Sequence, residues 1–114
     1  MVFHEISKLN RDGWNQHAYE AWVHAHGTPE QLAKQLASDP WRKLAPFRSY
    51  LSDLKGVRVA NLLGSHGKLA VSMALLGAEV TVVDISSDNA KYAKELAAGA
   101  GVHIEYLVMD VMEF

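Results

Sequence analysis

The chain has 114 residues, 49% of them hydrophobic and 21% charged, with three prolines and no cysteine: the composition of one soluble domain able to bury a core. Eleven Lys and Arg against thirteen Asp and Glu leave a net charge of -2, too little to gather nucleic acid or anionic lipid, and the missing cysteines exclude disulfides, thiolate nucleophiles and Cys-type metal sites. No apolar run approaches the ~20 residues of a membrane span. Met1 to Glu5 lacks the basic-then-apolar order of a secretion signal, so the expected address is the cytoplasm, with neither membrane nor nucleic acid as partner.

From Trp14 onward, Trp14, Ala18, Ala21, Trp22 and Ala25 recur at spacings of three and four, which predicts a helix that ends near Gly27. Thr28 before Pro29, and Asp39 before Pro40, each place a capping side chain ahead of proline at a first helical position. Two more helices are therefore expected, over 29–38 and 40–54. The texture changes near Gly56, dividing a helical cap segment, 1–55, from a segment, 56–114, of short β-branched runs. These runs predict strands at 57–63, 79–84 and 103–110. Between them lie helical stretches at 68–76, closed by Gly77, and at 89–98, opened by Ser86 to Asp88 and closed by glycines. Nearly continuous apolar strands joined by helices belong to a parallel sheet with right-handed crossovers. The expected architecture is α/β: N-terminal helices, then a β-α-β-α-β Rossmann-like half-sheet of strand order 3-2-1.

In such sheets ligands bind beyond the carboxyl ends of the strands. After the first strand come Gly64, Ser65, His66 and Gly67, opening directly into a helix whose free amides favour an anionic group. The second strand ends in Asp84, a carboxylate able to accept both cis-hydroxyls of a ribose, and the third in Asp110, able to take the exocyclic amine of a purine. Ile85 and Val111, each beside an acid, supply apolar contact for a base. His66 can touch a bound group or face solvent, and the second is the preferred expectation. The bland alternatives are turn glycines for Gly64 and Gly67, cap chemistry for Asp84, and a turn acid for Asp110.

The run from Gly67 to Ser86, with Asn61 to Gly67 before it and Ile104 to Val111 after it, resembles Rossmann-like S-adenosylmethionine-dependent methyltransferases, in the branch acting mostly on small molecules. The likeness covers residues 57–112. It implies that Gly64 to Gly67 meet the methionine part of the cofactor, Asp84 the ribose hydroxyls and Asp110 the adenine amine. The stretch from Trp14 to Tyr19 also resembles a helix that covers the cofactor in many such enzymes, although a Trp and Tyr stripe is more often core. In the gapless register Asn61 replaces the family's usual acid, Leu63 and Ser65 replace two of its glycines, and Gly64 is shifted by one. The resemblance also implies seven strands, so the chain is expected to be a truncated part, inactive alone and without a nameable catalytic residue. It is further expected to self-associate through the uncovered edge of 57–63, against which a monomer mass independent of concentration in sedimentation would count.

A nicotinamide enzyme uses the same frame, but Gly-x-Gly-x-x-Gly starting at Gly64 demands glycine at His66 and Leu69. A P-loop fails at Leu69 and at the earlier glycine. A non-catalytic binding module is the remaining alternative. The basic residues Arg42, Lys43, Arg48, Lys55 and Arg58 are interrupted by Asp39 and Asp53 and read as a solvated face. His4, His17, His24 and His26, with Glu20 nearby, lack metal-ligand spacing, so no metal is expected.

Overall fold

The computed structural model describes residues 18–51 and 53–113; Trp14, His4 and His17 lie outside them. In chain order the elements are α1 (Ala18–His26), α2 (Pro29–Ser38), α3 (Pro40–Leu44), a 3-10 turn at Ala45–Phe47, β1 (Arg58–Leu62), α4 (Lys68–Leu75), β2 (Glu79–Asp84), α5 (Ser87–Ala100), β3 (Glu105–Val108) and a 3-10 turn at Val111–Glu113. β2 lies between β1 and β3 and pairs with both in parallel, Val82 standing opposite Asn61 on one side and Tyr106 on the other. This is the expected half-sheet, the order 3-2-1 being the same sheet read from its other edge.

Both crossovers step the same way along the sheet, so right-handed connections put α4 and α5 on one face. Burial follows the alternation of the strands: Val80, Val82 and Tyr106 are buried, whereas Arg58, Ala60, Glu79 and Glu105 on the other face are exposed. Helices α1 to α3 add a layer to the helical side. There α2 packs on α5, and Leu32, Ala33 and Leu36 join Val71, Val82, Tyr92 and Leu96 in one core.

Local chemistry accounts for the boundaries. Thr28 Oγ1 accepts from Gln31 N–H at 3.2 Å while Thr28 N–H donates to Gln31 Oε1 at 2.9 Å, a complete capping box. Asp39 makes no such cap, contrary to expectation: it also closes α2, at φ -156 and ψ 87, and its carboxylate does not reach the amides of α3. The helix expected over 40–54 ends at Leu44, because Pro46 has no N–H to return to Arg42 and its ring crowds the preceding turn. β1 and β3 are shorter than the expected 57–63 and 103–110; Leu63 leaves the strand at φ 57. α5 is longer than 89–98. Ser86 caps it through Asn89 N–H, and it passes through Gly99, where a Cβ would come within 3.2 Å of Ala33 Cβ, so the glycine lets α2 approach. On α1, Ala21 and Ala25 are exposed and the docking side chains are Tyr19, Trp22 and Val23, the larger residues setting the buried face.

Candidate functional site

β1 delivers the chain into the turn from Leu63 to Gly67, which opens α4. Among the described non-glycine residues, Leu63 (φ 57) and Ser65 (φ 59) are the ones in the left-handed region. They are also the two positions at which the resemblance implies glycine. An L side chain there costs about 1 kcal/mol or more, most for a bulky one. The surroundings over-determine the turn: Leu63 N–H and Gly64 N–H donate to Val83 O at 2.7 and 3.4 Å, Tyr106 Oη donates to Ser65 O at 2.6 Å, and Gly67 N–H donates to Gly64 O at 3.1 Å. Gly64 and Gly67 are needed for close approach. A Cβ on Gly64 would lie 2.1 Å from Val82 Cγ1, and one on Gly67, at φ +89, would lie 2.6 Å from Ala93 Cβ. Leu63→Gly is therefore expected to stabilise the protein by about 1 kcal/mol, net of the greater freedom of glycine in the unfolded chain, seen as a higher denaturation midpoint at unchanged m-value.

Asp84, at the end of β2, is buried at 7% exposure. Its Oδ2 accepts from Ser65 N–H at 2.9 Å, and its Oδ1 accepts from Ser86 N–H at 3.1 Å and from Asn89 Nδ2 at 3.4 Å. An ionised carboxylate has about four acceptor directions, so Oδ2 can take a further donor. The Ser65 contact joins the turn after β1 to the acid of β2, two features the sequence places 19 residues apart. Asp84 stands in register with Val108, which brings Asp110 to the same end of the sheet. There Asp110 Oδ1 accepts from Met112 N–H at 2.9 Å, and Val111 and Ile85 are half-buried. All eight candidate residues thus lie at the carboxyl ends of the strands. Ser65 and Asp84 touch directly, while Asp110 and Val111 sit beyond β3.

His66 does not face solvent. It is 5% exposed, its ring packed against both Trp22 (4.2 Å between centroids) and His26 (4.4 Å), which stack on each other at 5.7 Å, with Tyr92 edge-on at 5.7 Å. Burial, with smaller contributions from His26, Lys68 and Lys43, pushes its pKa down to about 3, and neither ring nitrogen has a hydrogen-bond partner. The sequence showed His66 as a polar turn residue; α1, which covers it, comes from 40 residues upstream (Trp22 to His26) and leaves no local signal.

Three further residues brace the site. Trp22 Nε1–H donates to Asn89 Oδ1 at 2.6 Å, and Tyr106, whose hydroxyl pKa is raised by burial and by Asp84, holds Ser65 from β3. In the sequence Trp22 falls on a predicted helix face, Tyr106 inside the third apolar run and Asn89 at a helix start; their polar ends acquire roles only through the tertiary arrangement. Tyr19 fastens α1 as well, its N–H donating to Asp88 Oδ2 at 3.1 Å and its hydroxyl to Glu95 Oε2 at 2.5 Å, a bond that pushes the phenol up to about 12.

Away from this end, an open groove of about 850 Å³ lies against the sheet face that none of the described helices covers, lined by Arg58, Ala60, Thr81, His103, Glu105 and Leu107. It has none of the candidate residues, and its Arg58 and Glu79 form a solvent-exposed pair at 3.6 Å. Among the described residues no three His, Asp or Glu side chains converge as metal ligands, and no helix is long and apolar enough to cross a membrane.

No protein-family model matches the chain. It is 37% identical over 76 residues to a ubiquinone biosynthesis O-methyltransferase of Xanthomonas euvesicatoria, an alignment covering 63% of this chain and 32% of that protein. The protein of the same name from Pasteurella multocida is 36% identical over 80 residues, covering 66% and 33%. The chain spans about a third of the length of the curated relatives it matches. Its fold superposes on magnesium protoporphyrin IX methyltransferase from Synechocystis, crystallised with S-adenosylhomocysteine, with TM-score 0.70 at 18% identity, over 95% of this chain and 53% of that one. A second structure of that enzyme, with S-adenosylmethionine, gives 0.67. In sequence and in fold, then, the chain is similar to part of a Rossmann-like S-adenosylmethionine-dependent methyltransferase.

Proposed function

We propose that the chain is the cofactor-binding part of an S-adenosylmethionine-dependent methyltransferase acting on a small molecule. The observation that carries this reading is the turn after β1, held in glycine-type geometry by L residues and hydrogen-bonded through Ser65 N–H to the buried carboxylate of Asp84. The donor set fits the cofactor. The turn from Gly64 through Ser65 and His66 to Gly67 offers its backbone to the methionine part, Asp84 accepts from one ribose hydroxyl at the open position on Oδ2, Asp110 from the adenine amine, and Ile85 and Val111 flank the base. When bound, the cofactor supplies a methyl group on a positively charged sulfur, already activated for in-line displacement. What these residues contribute is alignment, which fixes the direction from which an acceptor must approach.

The nicotinamide reading is not favoured: Leu69 packs against the core where that turn needs glycine, and His66 is locked in a ring stack. The remaining proposals are a helical cap in 1–55, a cytoplasmic address, and self-association along the β1 edge, where Leu62 and Leu63 are 49% and 66% exposed. An amide chemical-shift titration with S-adenosylhomocysteine, beside a parallel one with NADH, tests the main reading. Shifts at Gly64, Asp84 and Asp110 with the first ligand alone are expected, and Asp84→Asn should weaken that binding at least about tenfold, since a charged acceptor is replaced by a neutral amide. Shifts with NADH alone would overturn the assignment.

A further inference from the structure

One residue of α1 touches both halves of the candidate site. The Trp22 ring lies on His66 in the turn after β1, and its Nε1–H donates to Asn89 Oδ1 at 2.6 Å. The other end of the same amide, Nδ2, points to Asp84 Oδ1 at 3.4 Å. The indole is a donor only and the ionised carboxylate an acceptor only, so both neighbours demand one orientation of the Asn89 amide. Asn89 is 3% exposed and its N–H is held by Ser86 Oγ, which leaves the side chain little freedom to seek other partners. Without the indole, the amide loses the shorter of the two contacts that select that orientation, and the donor to Asp84 on the oxygen opposite the one bound by Ser65 N–H is held only by its own 3.4 Å contact.

We propose that Asn89 is a positioning residue through which the docking of α1 sets the acceptor geometry of Asp84. It rests on the cofactor reading only in its ligand consequence. With α1 seated, Oδ1 is held by Ser86 and Asn89 and Oδ2 is turned to Ser65, with one direction left for an incoming hydroxyl. With α1 lifted, the carboxylate keeps the backbone donors of Ser86 and Ser65 but its Asn89 donor is no longer fixed, and the hydroxyl acceptor is less firmly preset.

The test uses the full chain, isotope-labelled, as wild type, Asn89→Leu and Trp22→Phe, the last retaining a ring to stack on His66. Amide hydrogen exchange at Ser65 reads the Asp84 carboxylate without any ligand. It is expected to accelerate about fivefold in both variants, the worth of one lost hydrogen bond, while the Leu32 amide in α2 keeps its wild-type rate. Affinity for S-adenosylhomocysteine should fall by a similar factor. Asn89→Asp, which keeps the acceptor for Trp22 but sets a second carboxylate against Asp84, should bind more weakly than Asn89→Leu at pH 8 and recover toward pH 5, a pH profile that a merely structural role would not produce. Ser65 exchange at the wild-type rate in both Asn89→Leu and Trp22→Phe would overturn the proposal. Absence of ligand binding by the wild type would sink the cofactor reading instead, and the exchange rates would still decide the role of Asn89.

Discussion

Gly67→Ala is expected to destabilise the protein by about 3 kcal/mol, the sum of a left-handed backbone penalty and an overpacked contact. At φ +89 an added Cβ is strained in itself, and it would meet Ala93 Cβ at 2.6 Å and Ala93 Cα at 3.1 Å. Ala93 is fully buried on α5, flanked by Tyr92 and Leu96, which are fully buried too, so the helix cannot retreat without opening its packing on α2 and the ring cluster around His66. Against a total stability of roughly 5–15 kcal/mol for a small domain, this is a large fraction, and thermal unfolding should shift down by about 10–20 °C. The paired change Gly67→Ala with Ala93→Gly separates the two contributions. It removes the clash and leaves the backbone strain, so it should recover part of the loss in a double-mutant cycle; strict additivity would show that the contact is not the cause.

Acid is expected to unfold the protein through His66. The folded-state pKa is about 3 against about 6.5 in the unfolded chain, so between these values the unfolded state binds the extra proton and stability rises with pH. The contribution is complete above pH 6.5 and is lost progressively as pH falls toward 3; a loss of roughly 3 kcal/mol by pH 4.5 is expected. Burial lowers the pKa of His26 as well, which adds in the same direction, and the nearby Lys43 and Lys68 disfavour a second positive charge beside either ring. His66→Phe keeps a ring against Trp22 and His26 and removes two buried, unpartnered nitrogens. Chemical denaturation of both proteins at pH 7 and pH 4.5 should show a smaller loss for the variant, with the variant at least as stable at pH 7. Equal slopes would assign the acid sensitivity to the carboxylates.

The order of elements was legible because each carries its own local signal: capping residues ahead of Pro29, β-branched runs in β1 and β2, Gly77 and Gly101 after the helices. The turn was legible in position, between β1 and α4. The left-handed backbone of Leu63 and Ser65 was not, since no propensity favours leucine at φ 57; hydrogen bonds to Val83 and Tyr106 from neighbouring strands impose it. α3 ends earlier than its periodicity suggests because Pro46 outweighs the surrounding pattern. The burial of His66 leaves no local signal because its cover comes from α1, remote in sequence, and the role of Asn89 leaves none because an amide at a helix start has an adequate local explanation.

The fastening of α1 has a kinetic side. Neighbouring strands pair residues only about twenty to twenty-five positions apart, Arg58 with Glu79 and Thr81 with Glu105, so each β-α-β unit closes a modest loop. The bonds from α1 to Asp88, Asn89 and Glu95 close loops of 69, 67 and 76 residues. Such contacts carry the higher closure entropy and gain nothing until α5 is already seated on the sheet, which places them after the rate-limiting step. Weakening them should leave the refolding limb of a chevron nearly unmoved and steepen the loss of the native state on the unfolding limb, so that this helix governs how long the protein stays folded more than how fast it gets there.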